Sequence, residues 1–316
     1  MPTSEEKIEY RITAVDASKF RECTVQSIHK ELKTKKLVSY KSHNRVYFGH
    51  DTAREIFNIN FKKRIISFQI VKGGTGKTSI THSFAIRASL YGANVLCIDL
   101  DQQGNLSQAF NVDPKNSPVM IDIINNQSSI QDAIIPIAPG ISILPSRIEN
   151  AVLDNCLMLN KHPLDRVYKE LLNEIGSSYD LIIIDCPPAL GQSVTAATLA
   201  SDIVVCPVTP EQFCLSGLRI SYEEIATITK RFNINCDLKI VLNKFDTRTA
   251  LSNEVLTTIL NHNIFKKLMC NTFIRSCQDF PNMIYSGSNI FSNLQNSVAK
   301  EDIDLFTREI LELNKK

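Results

Sequence analysis

Two apolar patterns divide the chain. Over residues 1–60 the apolar positions come in short, interrupted sets. Ile12 to Phe20 reads as an amphipathic helix, Cys23-Thr24 breaks it, and Val25, Ile28 and Leu32 then recur at i, i+3 and i+7 on one helical face. Thr24 is the expected N-cap of that second helix. Leu37 to Tyr40 and Arg45 to Phe48 flank the polar Lys41-Ser42-His43-Asn44, the pattern of a β-hairpin, and Asp51 is placed to cap a short helix from Thr52 to Phe57. The polar stretch from Asn58 to Lys63 marks a boundary. After it the runs become nearly continuous: Ile65 to Ile70, Val95 to Leu100, Leu181 to Ile184, Ile203 to Val208 and Lys239 to Leu242. Strands buried on both faces read this way. Helical stretches follow the first of these runs, cover Leu164 to Ile175 up to Gly176, begin again at Leu215-Ser216-Gly217-Leu218, and close the chain from Glu301 to Leu313. The pattern predicts an α/β fold with a mainly parallel sheet flanked by helices, over residues 61–316, preceded by a small helical domain at 1–60. Residues 112–150 read as a helix, a peripheral strand pair and loops, with no chemistry.

The chemistry gathers where these strands end. The first run leads into Val71-Lys72-Gly73-Gly74-Thr75-Gly76-Lys77-Thr78-Ser79 and then into a helix. Glycines let the backbone approach an anion, and successive N–H groups with the helix N-terminus attract it, so the stretch from Lys72 to Ser79 is a candidate phosphate cradle. Lys77 is placed for the β- and γ-phosphates and Thr78 for Mg²⁺, the disposition of a P-loop NTPase. The strict P-loop glycine five residues before Gly76 is replaced by Val71. The second run ends in Asp99-Leu100-Asp101, and the third ends in Asp185 after four apolar residues, as a Walker B strand does. A carboxylate beside Mg²⁺ and phosphate is a poor base, so Asp101 is better suited to position water than to deprotonate it.

The string K-G-G-T-G-K-T resembles the deviant Walker A loop of the ParA/MinD family of partition and positioning ATPases. Asp99 to Ser107 resembles that family's D-x-D-P-Q-G-N-x-[ST] segment with Gln102 in the proline position. Asp185-Cys186-Pro187-Pro188-Ala189-Leu190-Gly191 is similar to its switch II wording, and Pro207 to Leu218 meets P-V-x-P-E-x-x-x-L-x-G-L at the marked positions. Lys239 to Thr249 is similar to the family's L-x-x-x-D-x-R-T, whereas the tail departs: Thr272-Phe273-Ile274-Arg275 lacks the proline of T-x-I-P-R. The resemblance implies ATP and Mg²⁺ as cofactors, with Asp185 and Thr78 at the metal. Lys72 becomes a lysine reaching the partner subunit's nucleotide, Asp101 the residue that orients the attacking water, Asp99 its support, and Pro210 and Asn243 nucleotide contacts.

The order of elements over residues 1–60 resembles the winged helix-turn-helix of MerR-type DNA-binding domains, including the Arg45-Val46-Tyr47 and Asp51 ending. The plain alternative is a helical adaptor that packs on the ATPase or mediates dimerisation. Thr24, Gln26, Ser27, Lys30, Lys33 and Arg45 are the candidate DNA contacts of this unit. Charge adds weight. Residues 1–64 hold fourteen Lys and Arg against eight Asp and Glu, a net +6 that leaves −4 to the remainder of a chain at +2. In the body, Lys230, Arg231, Arg248, Lys266, Lys267 and Arg275 are candidates for phosphate-directed DNA contact, with a solvated face as the alternative for each. His29, His43 and His50 read as surface residues. The nine cysteines form no C-x-x-C and lie mostly in apolar runs, where a thiol acts as a small hydrophobe, so no metal is assigned to them.

The start Met1 to Lys7 is polar and no apolar run is long enough to span a bilayer, which predicts a cytoplasmic protein with no membrane partner, and the family resemblance implies association with the nucleoid. The function implied is a Mg-dependent ATP hydrolase for DNA partition, of plasmid cargo by preference. Its ATP-dependent homodimer binds DNA nonspecifically, a ParB-like centromere-binding partner stimulates hydrolysis, and the N-terminal domain represses its own operator. The alternatives are a nucleotide-switched transcription regulator with little turnover and a MinD-like membrane positioner. The acidic outer face of the last helix disfavours the second.

Overall fold

A computed structural model describes residues 10–211 and 214–313, apart from the side chains of residues 284 and 285. The polar start Met1 to Lys7 lies outside the described residues. The N-terminal elements are β1 (Ile12–Thr13), α1 (Ala14–Phe20), α2 (Val25–Thr34), β2 (Tyr40–Ser42), β3 (Arg45–Phe48) and α3 (His50–Phe57), with the strands in a three-stranded sheet of order β1-β3-β2. Thr24 caps α2, its hydroxyl accepting from Ser27 N. Three local expectations are corrected. Ile12–Thr13 pairs antiparallel with β3 instead of opening a helix, because Thr13 is extended and its hydroxyl, with Asp16, closes a capping box on α1. The last helix of the unit begins at His50 after Gly49, so Asp51 falls inside its first turn and faces His50 Nδ1 at 2.9 Å in place of capping. His50, expected at the surface, is buried against Gly140.

The body is an eight-stranded sheet built from β4 (Arg64–Phe68), β5 (Val95–Asp99), β6 (Ile135–Ala138), β7 (Ile141–Leu144), β8 (Leu181–Asp185), β9 (Ile203–Val208), β10 (Asp237–Phe245) and β11 (Ile274–Arg275). Its order is β11-β10-β9-β4-β8-β5-β7-β6, and every pairing is parallel except the edge pair β6–β7. The continuous apolar runs are explained by two covered faces. On β5, Val95 and Cys97 point into one layer, with α4 (Lys77–Ser89) and the C-terminal helix Val298–Ile310, while Leu96 and Ile98 point into the other, with helices Val167–Ile175 and Gln192–Ala200. The peripheral strand pair expected between residues 112 and 150 is β6–β7, and its outer strand carries Pro136 opposite Ser142. Gly176 ends helix Val167–Ile175 in a right-handed conformation, without the left-handed turn expected of a glycine there. Among the described residues no helix is long and apolar enough to cross a membrane.

The N-terminal unit docks where the strands begin. Arg54 of α3 donates to Gly92 O and pairs with Asp180 at 2.8 Å, and these two acceptors stand just before β5 and β8. Gly92 has φ +94, and a Cβ on it would lie 2.5 Å from Arg54 Cα, so only glycine permits this approach. Phe20, Phe57 and Tyr91 pack ring on ring with centroids 4.7–5.4 Å apart. One buried apolar cluster therefore runs from Ile28 and Ile56 into Tyr91 and Ile303. The helix α4 spans the molecule between that dock and the opposite pole, where the parallel strands end.

Candidate functional site

At the carboxyl ends of the strands, where ligands of open α/β sheets bind, the structure brings together Lys72 to Ser79, Asp99, Asp101, Asp185, Pro210 and Asn243. The glycine loop leaves β4 and turns into α4 through Gly76, which takes φ +82. A Cβ at Gly76 would lie 2.3 Å from Asn243 Nδ2, so the position is closed to any other residue on two counts. At Gly73 and Gly74, by contrast, an added Cβ would meet nothing within 4 Å. The loop is pinned from outside: Asn243 Nδ2 donates to Thr75 O at 2.7 Å and Lys244 Nζ to Gly74 O at 3.0 Å. Asn243 thus holds the loop directly, a role beside the expected nucleotide contact.

Lys77 is buried at the first position of α4, and Thr78 next to it donates its hydroxyl to Asp185 Oδ2 at 2.7 Å. Thr81, one turn on, donates to Asp185 Oδ1 at 3.1 Å. Burial pushes the Asp185 carboxyl up to about 6, against the pull of the Thr78 hydroxyl and the Lys77 charge. Asp99 stands beside Asp185 in the β5–β8 register and is pushed up to about 7 by burial and by that neighbour. Its oxygens accept from Ser107 N at 2.9 Å, Ser107 Oγ at 2.8 Å and Asp101 N at 3.2 Å. Asp99 therefore ties down the turn that carries Asp101. Asp101 has one oxygen on Gln103 N at 3.0 Å and a small exposed remainder, 8%, at the mouth of the site.

The residues fit a phosphate and a divalent cation. Thr75 Oγ1 is buried with no hydrogen-bond partner among the described residues, inside a loop whose glycine faces are open. A hydroxyl against a carboxylate at the head of a helix is a donor set suited to Mg²⁺, which prefers oxygen ligands. Lys72 pairs with Glu211 at 3.1 Å, next to Pro210 after β9.

The spacing of motifs did not disclose Thr81, Lys244 or Asp154, whose carboxylate accepts from Ser193 N at 2.7 Å at the head of the helix after Gly191. A threonine inside a helix and an aspartate 39 residues from its donor carry no local signal. Of the DNA candidates, Thr24, Gln26, Ser27, Lys30 and Lys33 share one exposed face around α2. The others do not join them. Arg45 donates to Leu294 O, Arg275 is engaged by Asp302 and Glu301, and Arg248 pairs with Asp246 at 2.8 Å at the carboxyl pole. Lys230 and Arg231 end helix Cys214–Phe232 at the opposite pole, just before β10.

A family model described as an AAA domain matches residues 63–240. A ParA family protein of Chlamydia trachomatis is 30% identical over 252 residues, covering 78% of this chain and 97% of that protein. The chain belongs to the ParA family. Among solved structures, a plasmid partition protein of Borrelia burgdorferi bound to AMPPNP superposes with a TM-score of 0.65 at 19% identity, covering 79% of this ParA-family chain and 99% of that one. Cobyrinic acid a,c-diamide synthase of Mycobacterium smegmatis with ADP and magnesium gives 0.67 at 23%, covering 79% and 94%. At these identities the superpositions speak for the fold: a mostly parallel sheet flanked by helices, as in ParA-type P-loop proteins.

Proposed function

We propose that this ParA-family chain is a Mg²⁺-dependent ATP hydrolase that cycles between an ATP-bound, DNA-holding dimer and a released form. The observation that carries the proposal is the Thr78–Asp185 pair under an open glycine loop with an unpartnered Thr75 hydroxyl. The AMPPNP in the Borrelia partition protein and the ADP with magnesium in the synthase support the same ligands here. Mg²⁺, when bound, would supply positive charge to the phosphate oxygens. The chain's own groups do the remainder. The N–H groups from Gly73 to Thr78 hold the phosphates, Lys77 takes the β- and γ-oxygens, and Thr78 and Asp185 hold the cation. Asp101, kept in place by Asp99 through Ser107 and its own N–H, orients water toward the γ-phosphate. The deviant lysine Lys72, released from Glu211, completes the site of a second copy.

The exposed face of α2 with Gln26, Ser27, Lys30 and Lys33, together with the β2–β3 hairpin, supports a winged helix-turn-helix that binds DNA, an operator included. Residues 1–60 would then be a DNA-binding domain and 61–316 the ATPase, serving DNA partition with a centromere-binding partner. The test is ATP turnover by wild type and Asp101→Ala, with and without DNA and the partner protein. Slow turnover raised by both additions, and a loss of about 100-fold in Asp101→Ala with DNA retained in ATP, is the expected result. Nucleotide binding with no turnover under any condition would replace hydrolysis with a nucleotide-switched regulator.

A further inference from the structure

A cavity of about 550 Å³ lies between the N-terminal unit and the body, far from the glycine loop, in the size range of small-molecule sites. Arg11, Lys19, Arg87, Lys300 and Arg308 bring five cations to its wall, against the carboxylates of Asp16, Glu301 and Asp304. Those three carboxylates are engaged. Asp16 closes the cap of α1 on Thr13, Glu301 pairs with Arg275 at 2.8 Å, and Asp304 takes Arg87 and the Tyr91 hydroxyl. Lys300 and Arg308 are short of countercharge. Lys300 Nζ is held by three neutral oxygens, Asn293 O, Asn293 Oδ1 and Gln295 O, and among the described residues no carboxylate forms an ion pair with it. Burial pushes its ammonium down to about 8, with Asp16 and Asp279 only partly offsetting it. Arg308 Nε is buried with no acceptor among the described residues, and its Nη1 stands 3.9 Å from Asp304. Apolar side chains line the same cavity: the Arg308 guanidinium lies 5.2 Å from the centre of the Phe20 ring, and Phe291 and Leu305 also face the space.

We propose that this cavity is a second ligand site, taking a small phosphorylated molecule with a flat apolar body, a nucleotide in chemical class. Its phosphates would meet Lys19, Lys300 and Arg308, and its ring would lie along Phe20. Because the walls come from α1, from α4 and from the C-terminal helix, an occupant would fasten the N-terminal unit to the helix that begins at Lys77.

The experiment uses the full chain carrying Lys77→Ala, which weakens the glycine-loop site, titrated with the fluorescent nucleotide N-methylanthraniloyl-ADP. Saturable one-to-one binding is expected to survive Lys77→Ala. It should weaken about tenfold or more when Lys19→Glu or Arg308→Gln is added, since each removes a charged hydrogen-bond donor. Lys19 is exposed at the rim, so Lys19→Glu keeps the test free of folding effects that Arg308→Gln could bring. Loss of all binding in Lys77→Ala alone would overturn the proposal, as would binding indifferent to Lys19→Glu, which would place the probe at the glycine loop.

Discussion

The two ends of α4 are built for opposite purposes. At its start the backbone is open, two glycines face empty space, a buried hydroxyl lacks a partner, and two lysines and three carboxylates crowd together. Just past its end the groups that make the dock are matched to one another. Arg87 and Tyr91 share Asp304, Gly92 accepts from Arg54, and three aromatic rings close the gap to the N-terminal unit. The first end withholds satisfaction so that a ligand can supply it. The second uses it to hold two units as one body. Affinity at the glycine loop and stability at the dock are therefore separated along a single helix.

Substitutions can break that contrast. Tyr91→Ala should cost the most, about 3–5 kcal/mol of unfolding free energy, because it empties a buried ring site and leaves Asp304 with one partner fewer. Urea unfolding would measure it, and nucleotide affinity of the folded fraction should be nearly unchanged. Lys77→Ala should do the reverse: nucleotide affinity at the glycine loop falls about 100-fold, equivalent to about 2.7 kcal/mol, while the urea midpoint stays close to wild type. A Lys77→Ala protein that binds nucleotide normally would break the separation.

A pH series sharpens it. Asp99 is pushed up to about 7 from an ordinary carboxylate value of 3.8, so the folded state holds a proton that the unfolded chain releases. Its stabilising contribution is complete below about pH 4 and is lost as pH rises through about 7. Its slope approaches about 1.4 kcal/mol per pH unit for one proton. Asp99→Asn should remove this share of the decline, seen as a flatter difference curve against wild type in ligand-free protein. The smallest effect belongs to Glu211→Gln, which removes the charge from a partly exposed pair with Lys72 and should change stability by less than about 1 kcal/mol. Equilibrium unfolding in urea would detect a larger change, and one would mean that the pair holds the loop.

The same contrast explains what could be read from the sequence. The strands Val95–Asp99 and Leu181–Asp185 were legible because burial on both faces forces continuous apolar runs, and their terminal carboxylates because nothing else in such runs is charged. The glycine string was legible because backbone approach leaves few residue choices. Thr24 was legible as a cap, yet Asp51 was not, since Gly49 starts the helix two residues earlier than side-chain chemistry implied. Ile12–Thr13 has helical spacing but pairs with β3, a tertiary preference that a local pattern does not carry. Asp154, Lys244 and Thr81 act across the fold on partners 39 to 170 residues away, and only the closed sheet brings them into place. The dock of the N-terminal unit rests on a glycine, an arginine and three rings from separate segments, and no single segment announces it.

Pro136 in β6 has a consequence for behaviour at high concentration. An exposed strand edge invites further strands from other molecules, and a proline there offers no N–H to receive them. The opposite edge, β11, is two residues long and is anchored through Arg275 to the C-terminal helix. Both margins of the sheet are blunted against strand addition. Copies of the molecule can thus meet often at high concentration with little to start a fibril at these margins.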